Sequence, residues 1–441
     1  MKSTMRVKAA AVALAVAGAF GAVHEVAAQS ANEIFLPVLV YRTGAYAPNG
    51  IPWADGYVDY LKLVNARDGG VNGIKIAFEE CETGYATDRG VECYERLKSK
   101  KPVIVNPLST GITYALTDKV ANDKIVLFTT GYGRADSVDG SVFAWNFPLL
   151  GSYWSAADML VQHVKKKDKS LKGKKIALVY HDSPYGKEPI KLLEERARME
   201  GYQLLLLPVT HPGVEQKATW LQIRQQRPDY VFLWGWGVMN STSIKEAIAV
   251  SYPRLQMYGV WWSSAEPDVE PAEMASKGYN GIALGHSDEK DFPVHKDLLK
   301  HLYDKGQGTA KDKKDVGSVL YNRGMISAML SIEAIKQAQS KYGKRVVTGE
   351  EVRWGAENLN LDAGKIKALG FGDMVQPLKT ACNDHEGVRR GRVHTWDGKD
   401  WSYTSDWYEA DMKILRPMIQ ASAKAYAAEK KITQRDCSKE K

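Results

Sequence analysis

The sequence predicts an α/β protein built from two doubly wound lobes. Short apolar runs alternate with helical segments, and this alternation restarts near residue 150. Short strands separated by helices are typical of parallel sheets that are covered on both faces. The chain has 441 residues, which is more than one ordinary hydrophobic core accommodates. Two α/β lobes of similar design are therefore expected.

The first lobe is predicted from apolar runs that alternate with helical segments. The run at 34–41 ends at Arg42-Thr43-Gly44, which favours a strand leading into a turn. Apolar residues in the segment 53–66 recur at helical spacing, and the segment is followed by two glycines. Further strands are predicted at 74–78, 103–105 and 125–129, and further helices at 88–98 and 114–122.

The second lobe repeats this pattern. Strands are predicted at 176–180, 203–209, 230–234 and 256–262, and helices at 153–166, 190–200, 218–226 and 241–250. A longer helix with periodic apolar residues is predicted at 319–338. The Asp397-Gly398 pair indicates a hairpin turn. The polar segment 429–441 is expected to fray, except where Cys437 holds it.

The first 28 residues have the three parts of a secretory signal peptide. Lys2, Arg6 and Lys8 precede an uncharged Ala/Val-rich run at 9–23, and Val26-Ala27-Ala28 supplies small residues before a cut after Ala28. The apolar run is shorter than the ~20 residues that span a bilayer, which disfavours the alternative of an uncleaved anchor. The mature protein is expected outside the cytoplasm, and no cysteine follows the cut to bear a lipid.

Charge does not indicate a nucleic-acid partner. The formal net charge is +8, and the dense basic run lies at 165–175, just before a predicted strand. Because no aromatic residues are interleaved with these lysines, a solvated surface is favoured over a nucleic-acid patch.

Four cysteines remain in the mature chain, and an even number in an exported protein favours disulfide bonds. Three pairings are possible. Cys81–Cys93 is the most local pair, and Cys382–Cys437 would then tie the C-terminal tail to the body. A metal site is disfavoured, because the spacings are not those of metal-binding cysteine pairs, and no cofactor is expected.

Enzyme signatures are weak throughout the chain. There is no Gly-x-Ser-x-Gly elbow, no His-Glu-x-x-His and no phosphate loop. Gly131-Tyr132-Gly133 and Gly235-Trp236-Gly237 lack the third glycine of a dinucleotide fingerprint, so turn glycines are the favoured interpretation. An exported hydrolase using His181-Asp182 stays as an alternative, although no nucleophile accompanies this pair.

Residues that follow the predicted strands indicate a ligand site, because ligands bind beyond the carboxyl ends of strands in open α/β sheets. Hydroxyl and amide side chains dominate these positions in the first lobe, and aromatic rings dominate in the second. Such a gap suits a small carboxylate with an apolar or aromatic body. The candidates are Tyr46, Ser109, Thr110, Thr130 and Tyr132 in the first lobe, and Tyr185, Trp234, Trp236, Trp261 and Trp262 in the second. Core packing is the alternative for each tryptophan.

Several phrases, in their order and spacing, resemble a known family. They are Asn65-Ala66 with Gly69-Gly70 and Gly73, the strand end Phe78-Glu79-Glu80-Cys81, and the segment Asp182-Ser183-Pro184-Tyr185-Gly186. Together they resemble the periplasmic solute-binding proteins of ABC importers, in the branched-chain (Leu/Ile/Val-type) amino-acid-binding family. The resemblance extends over about residues 33–407.

This resemblance implies a type I periplasmic binding protein fold, with three hinge strands near 143–148, 281–287 and 374–378. It divides the chain into an N-terminal lobe (29–146 plus 284–375), a C-terminal lobe (147–283 plus 376–403) and an extension (404–441). It also implies a periplasmic monomer that captures a small carboxylate-bearing solute by lobe closure and presents it to a membrane permease. Ser109, Thr110, Thr130 and Tyr132 would hold the carboxylate, and Tyr185 would contact the ligand from the second lobe.

One departure from the family bears on the ligand. Amino-acid binders place an acidic side chain where this chain has Trp261 or Trp262, and an unpaired ammonium in a closed cleft is unfavourable by several kcal/mol. Glu266 could reach in from the following loop, but nothing in the sequence requires it. Aromatic carboxylates therefore fit better than an ordinary α-amino acid, and a quaternary amine held by cation–π contacts is an alternative. A ligand-sensing domain of the same fold is the alternative to an importer component.

Overall fold

A computed structural model of the protein describes residues 32–285 and 291–440. The predicted signal peptide, residues 1–28, lies outside the described residues. Within the described ranges, none of the helices combines the length and the apolar character that crossing a membrane requires.

The strands and helices of the described residues are numbered here in chain order. The strands are β1 (Ile34–Val40), β2 (Ile76–Glu82), β3 (Ile104–Val105), β4 (Val126–Phe128), β5 (Asn146–Phe147), β6 (Lys175–His181), β7 (Gln203–Val209), β8 (Tyr230–Trp234), β9 (Met257–Gly259), β10 (Asn280–Ala283), β11 (Asn360–Leu361), β12 (Leu378–Lys379), β13 (Arg390–Trp396), β14 (Trp401–Tyr403) and β15 (Tyr408–Glu409). The α-helices are α1 (Ala47–Arg67), α2 (Thr87–Leu97), α3 (Thr110–Asp123), α4 (Tyr153–Asp168), α5 (Pro184–Lys187), α6 (Ile190–Glu200), α7 (Lys217–Gln226), α8 (Val238–Ala249), α9 (Glu266–Val269), α10 (Pro293–His301), α11 (Val319–Tyr342), α12 (Gly349–Glu357), α13 (Ala363–Ala368) and α14 (Met412–Lys430).

The first lobe has a parallel sheet with the strand order β2-β1-β3-β4-β5. The bridge between Val38 and Asn106 joins β1 to the end of β3. Every residue of β1 is buried, as expected for a parallel strand covered on both faces. Helices α1 and α11 pack closely, because a Cβ atom on Gly324 would lie 1.9 Å from the Trp53 carbonyl oxygen. Glycine at this crossing lets the two backbones touch.

The second lobe has a larger sheet with the order β14-β13-β10-β9-β8-β6-β7. The strands from β6 to β10 are parallel to one another, whereas β13 runs antiparallel to β10, β14 and β15. Trp396 pairs with Trp401 across the predicted Asp397-Gly398 turn, which confirms the hairpin. The structure thus confirms the predicted α/β class with two wound sheets.

The strand predicted at 256–262 is shorter than expected. Strand β9 ends at Gly259, and Trp261–Ser263 form a single 3₁₀ turn. The turn folds back over the strand end, because a Cβ atom on Gly259 would lie 2.3 Å from the Ser263 carbonyl oxygen. Glycine there allows the close approach. The two tryptophans therefore leave the sheet instead of extending it.

In the described residues the chain passes between the sheets after β5, after β10 and after β12. The first and third connections are bound to each other. The buried Glu386 carboxylate accepts a hydrogen bond of 2.7 Å from the Ser152 amide, and the His385 ring stacks on Phe147 with centroids 3.9 Å apart. Part of the second predicted hinge, 281–287, lies outside the described residues. The predicted lobe boundaries stay predictions.

The C-terminal extension is held more firmly than the sequence predicted. Helix α14 packs against the first lobe, where Ala423 and Ala427 cluster with Phe143. Beyond the helix, the Arg435 guanidinium lies 2.7 Å from the Glu357 carboxylate. The structure also contains both predicted disulfide bonds, Cys81–Cys93 and Cys382–Cys437.

Removing the second disulfide is expected to release the tail. In a C382S/C437S double variant, tryptic cleavage after Lys430 or Lys431 should accelerate at least about tenfold, because the tail is then held to the folded body only by noncovalent contacts such as the Arg435–Glu357 ion pair. The measurement is limited proteolysis of the folded protein, followed by mass spectrometry. A C81S/C93S double variant is the control, and equal tail cleavage in both variants would contradict the prediction.

Candidate functional site

A small cavity lined mainly by aromatic rings lies between the lobes. We call it the ring cavity. In this closed arrangement it is a narrow gap with about 20 Å³ of free volume, which is about the space of one water molecule. Its lining residues are Tyr41, Tyr85, Leu108, Ser109, Thr110, Tyr132, Tyr153, Tyr185, Trp236 and Trp262.

A second cavity, of about 40 Å³, shares Trp262 with the ring cavity. We call it the Arg323 cavity. Its walls come from the segment after β4, from helix α11 and from the connections after β10 and before β12. Its polar lining residues are Thr130, Asn322, Arg323, Ser327 and Gln376.

Strand ends position most of the ring cavity. Tyr41 follows β1, and Ser109 follows β3 and caps α3, where its hydroxyl oxygen accepts a 3.3 Å hydrogen bond from the Ile112 amide. The first amides of any helix have no partner within that helix, and together with the helix dipole they favour a nearby anion. Trp236 follows β8 on the opposite side. Aromatic rings from both lobes and the N-terminus of α3 therefore line the same cavity, at the carboxyl ends of the strands.

Polar groups around the ring cavity already pair with one another. The Tyr132 hydroxyl accepts a hydrogen bond of 2.8 Å from the Leu108 amide and donates to Asn106 Oδ1. The Trp236 indole donates to the Tyr41 hydroxyl at 3.0 Å, and this hydroxyl donates to the Leu108 carbonyl at 3.1 Å. Burial raises the pKa of Tyr41 and Tyr132 well above its usual value, so both stay neutral. The cavity thus presents mostly uncharged ring surface.

Direct contacts hold the two lobes together in a closed arrangement. The indole N–H groups of Trp261 and Trp262 both donate to the Gly131 carbonyl oxygen, each at 2.6 Å. Gly131 has φ +77°, and a Cβ atom there would lie 3.1 Å from Trp261 Nε1. Glycine is needed for both the backbone angle and the close approach. Near the mouth of the gap, the Tyr46 hydroxyl lies 2.7 Å from His181 Nε2.

The structure brings most of the sequence-predicted residues together. Ser109, Thr110, Tyr132, Tyr185, Trp236 and Trp262 line the ring cavity, and Thr130 lines the Arg323 cavity. Trp234 and Trp261 are fully buried and line neither. Tyr46 lines an open groove beside His181. The sequence left open whether Trp261 or Trp262 faces the ligand. Only Trp262 lines the cavities, so the structure favours Trp262.

Several lining residues were missed from the sequence. Tyr41 ends the predicted strand 34–41, so the strand-end rule could have found it. Tyr85 follows β2 as actually placed, but lies seven residues beyond the predicted end of that strand. Tyr153 opens α4 after a connection between the lobes, which no strand signal marks. Arg323 is a charged residue within a helix of mostly buried residues. A charge at such a position was the signal in the sequence that could have identified it.

The acidic residues closest to the two cavities accept hydrogen bonds from other parts of the protein. The Glu266 carboxylate accepts hydrogen bonds of 3.1 and 3.2 Å from the Val319 amide at the start of α11. Asp268 is buried and accepts from Asn49 at 3.0 Å and Asn240 at 2.8 Å, and its burial raises its pKa to about 6. Among the described residues that line either cavity there is no aspartate or glutamate. An ammonium group would find no carboxylate partner among these described lining residues.

Comparison with known proteins agrees with this architecture. The profile of a family described as periplasmic binding protein matches residues 33–400. The chain belongs to the periplasmic binding protein family. The resemblance inferred from the sequence and the type I fold are thereby confirmed. Among curated protein sequences, none is a significant match.

Solved structures of this family are similar over most of the chain. A protein of the Pseudomonas fluorescens group, described as an ABC transporter permease, is 42% identical with a TM-score of 0.84, over 92% of this chain and 99% of that one. A Thermus thermophilus branched-chain amino-acid ABC transporter protein with bound valine is 20% identical (TM-score 0.74; 88% and 98%). A Rhodopseudomonas palustris solute-binding protein in complex with benzoate is 15% identical (TM-score 0.65; 86% and 98%).

The family that the profile matches is one of periplasmic binding proteins. Both ring nitrogens of His181 make hydrogen-bond contacts in the structure. Its Nδ1 lies 2.7 Å from the Ser183 hydroxyl and its Nε2 contacts Tyr46. Burial lowers the pKa of His181 to about 4, so it is neutral near pH 7. It therefore acts as an uncharged contact between the lobes.

Glu188 is expected to make stability depend on pH. Its carboxylate accepts hydrogen bonds from the Tyr114 hydroxyl and the Ala135 amide of the first lobe, and burial raises its pKa to about 7. A raised pKa adds stability that is fully present below about pH 4.5, the usual value, and that is lost as pH rises through 7. The contribution of Glu188 to the free energy of unfolding should therefore fall between pH 5 and 8.

The measurement is urea unfolding across that range for the wild type and for E188Q. The free energy of unfolding should fall less over this range in the variant than in the wild type, because a glutamine does not titrate. E195Q is the control, since Glu195 is on the exposed side of α6 and pairs with Arg198. It should keep the wild-type slope, and the same slope in E188Q would refute the assignment.

Proposed function

We propose that this periplasmic binding protein is the extracytoplasmic substrate-binding component of an ABC importer. It captures a small solute that bears a carboxylate and an apolar or aromatic body, and it delivers that solute unmodified to a membrane permease. The ligand binds between the lobes, in the ring cavity and the adjoining Arg323 cavity.

The charge of the two cavities is the observation that carries this proposal. Their described lining contains aromatic rings and one guanidinium, from Arg323, but no carboxylate. A zwitterionic amino acid would leave its ammonium unpaired, which is unfavourable in a closed site. A quaternary amine would meet the like charge of Arg323. An acid without an ammonium group matches both the rings and the cation.

The comparisons support the same class without defining the ligand. The Rhodopseudomonas palustris protein is described as a complex with benzoate, an aromatic carboxylate. The valine of the Thermus thermophilus complex belongs to a protein with 20% identity to this chain. At that distance only the fold is shared, so the choice between these ligands depends on the cavities themselves.

Binding by closure follows from where the lining residues lie. Ser109 and Thr110 belong to the first lobe, whereas Tyr185, Trp236 and Trp262 belong to the second. A ligand contacts both sets only when the lobes are closed. It therefore shifts the equilibrium towards the closed form by its differential affinity for that form.

A ligand screen tests the proposed function. The mature chain, residues 29–441, should show a higher melting temperature with benzoate and related aromatic acids, and little change with valine or choline. Stabilisation by valine alone would exclude the proposed ligand class. The affinity of the best acid is then measured by titration calorimetry.

Trp262→Ala should weaken the binding of that acid at least about tenfold, because a ring that contacts the ligand is lost. Trp354→Ala is the matched control. Trp354 lies on α12 under Lys341, with the ammonium 4.1 Å from its ring centroid, and it lines neither cavity. Equal affinities of wild type and W262A would remove Trp262 from the site.

A further inference from the structure

Arg323 is an unusual residue for its position. It lies within α11, a helix whose other residues from Val319 to Ile335 are mostly buried and apolar, and it lines the Arg323 cavity. Placing a cation there is unfavourable unless it is paired. Among the described residues, no carboxylate is found within salt-bridge distance of its guanidinium; Asp268 and Glu266 act on it only at longer range.

The contacts that Arg323 does make hold it against the ligand site. One of its N–H groups donates to the Trp261 carbonyl oxygen, and its guanidinium carbon lies 5.3 Å from the ring centroid of Trp262. An arginine has five N–H donors, so further donors remain beside the cavity. Burial lowers the pKa of Arg323 to about 10, which still leaves it charged near neutral pH. The fold thus keeps a cation in place.

Two hydroxyl groups complete a polar end of this cavity. The side chains of Thr130 and Ser327 hydrogen-bond to each other, and both line the cavity together with Arg323. Thr130 is one of the residues that the sequence predicted to hold a carboxylate. The Ser327 hydroxyl donates to the Arg323 carbonyl oxygen at 2.9 Å, so the Thr130 hydroxyl is the donor of this pair and can rotate its hydrogen toward an incoming oxygen.

Resting on the proposed function, we propose that Arg323 binds the carboxylate of the ligand in the Arg323 cavity and determines the preference for anions. Trp262, which borders both cavities, then separates the acidic end of the ligand from the body in the ring cavity. The competing location for the carboxylate is the N-terminus of α3 at Ser109 and Thr110. That location would make the affinity independent of Arg323.

The test compares benzoate with its neutral analogue benzamide, by calorimetry on the mature chain. Wild type should bind benzoate at least about thirtyfold more tightly than benzamide, because only the charged ligand gains from the guanidinium. Arg323→Gln should remove that difference by weakening benzoate binding by a similar factor, and it should change benzamide binding less than about threefold. Arg323→Lys keeps the charge and should retain part of the preference.

Arg198→Gln is the control, since Arg198 is exposed on α6 and pairs only with Glu195 among the described residues. An equal loss of both ligands in R323Q would assign Arg323 a purely structural role and overturn the inference. Equal affinity of the wild type for both ligands would overturn it without any variant, so the test does not require R323Q to fold. If R323Q still binds benzoate as tightly as the wild type, the inference about Arg323 is wrong, but the proposed function is not contradicted. Failure of wild type to bind any acid would overturn both.

Discussion

The closed form of the protein depends on one carbonyl oxygen, that of Gly131, which accepts the indole N–H groups of both Trp261 and Trp262. A carbonyl oxygen has two lone pairs, so both bonds can form at once. Both tryptophans are nearly fully buried, and a buried N–H without a partner is unfavourable by about 1–3 kcal/mol. Opening the lobes would therefore break both of these hydrogen bonds at once. The two indole N–H groups and the Gly131 carbonyl oxygen would all lose their partners.

This junction depends in turn on two glycines. Gly259 lets the turn Trp261–Ser263 fold back over the end of β9, and Gly131 supplies a left-handed backbone angle and room for an indole. The turn brings Trp262 to the border of both cavities, and Arg323 lies over its ring. Each net hydrogen bond contributes only about 0.5–1.5 kcal/mol. A ligand that binds only the closed form adds to these contacts by its differential affinity for that form.

Periodicity and strand ends predicted much of this molecule from sequence. Helix α11 and the hairpin at Asp397-Gly398 were recognisable because local patterns determine them. The strand-end rule identified Trp236 and Trp262, but it also selected Trp234, which is fully buried in β8. The rule locates an edge of the sheet and does not say which face a side chain occupies. Arg323 could not be assigned, since α11 is far from the strands in sequence and meets them only through tertiary packing.

The proposed preference for an anion follows from how the fold distributes its charges. Asp268 is held by two asparagines, and Glu266 pairs with the first amide of α11. Both carboxylates therefore satisfy structural donors and do not line the cavities. Arg323 is positioned by a neutral carbonyl and an aromatic ring instead, and neither neutralises its charge. Because these acids pair with structural donors and Arg323 has no carboxylate within salt-bridge distance among the described residues, we expect the interlobe site to favour a negatively charged solute over a zwitterion.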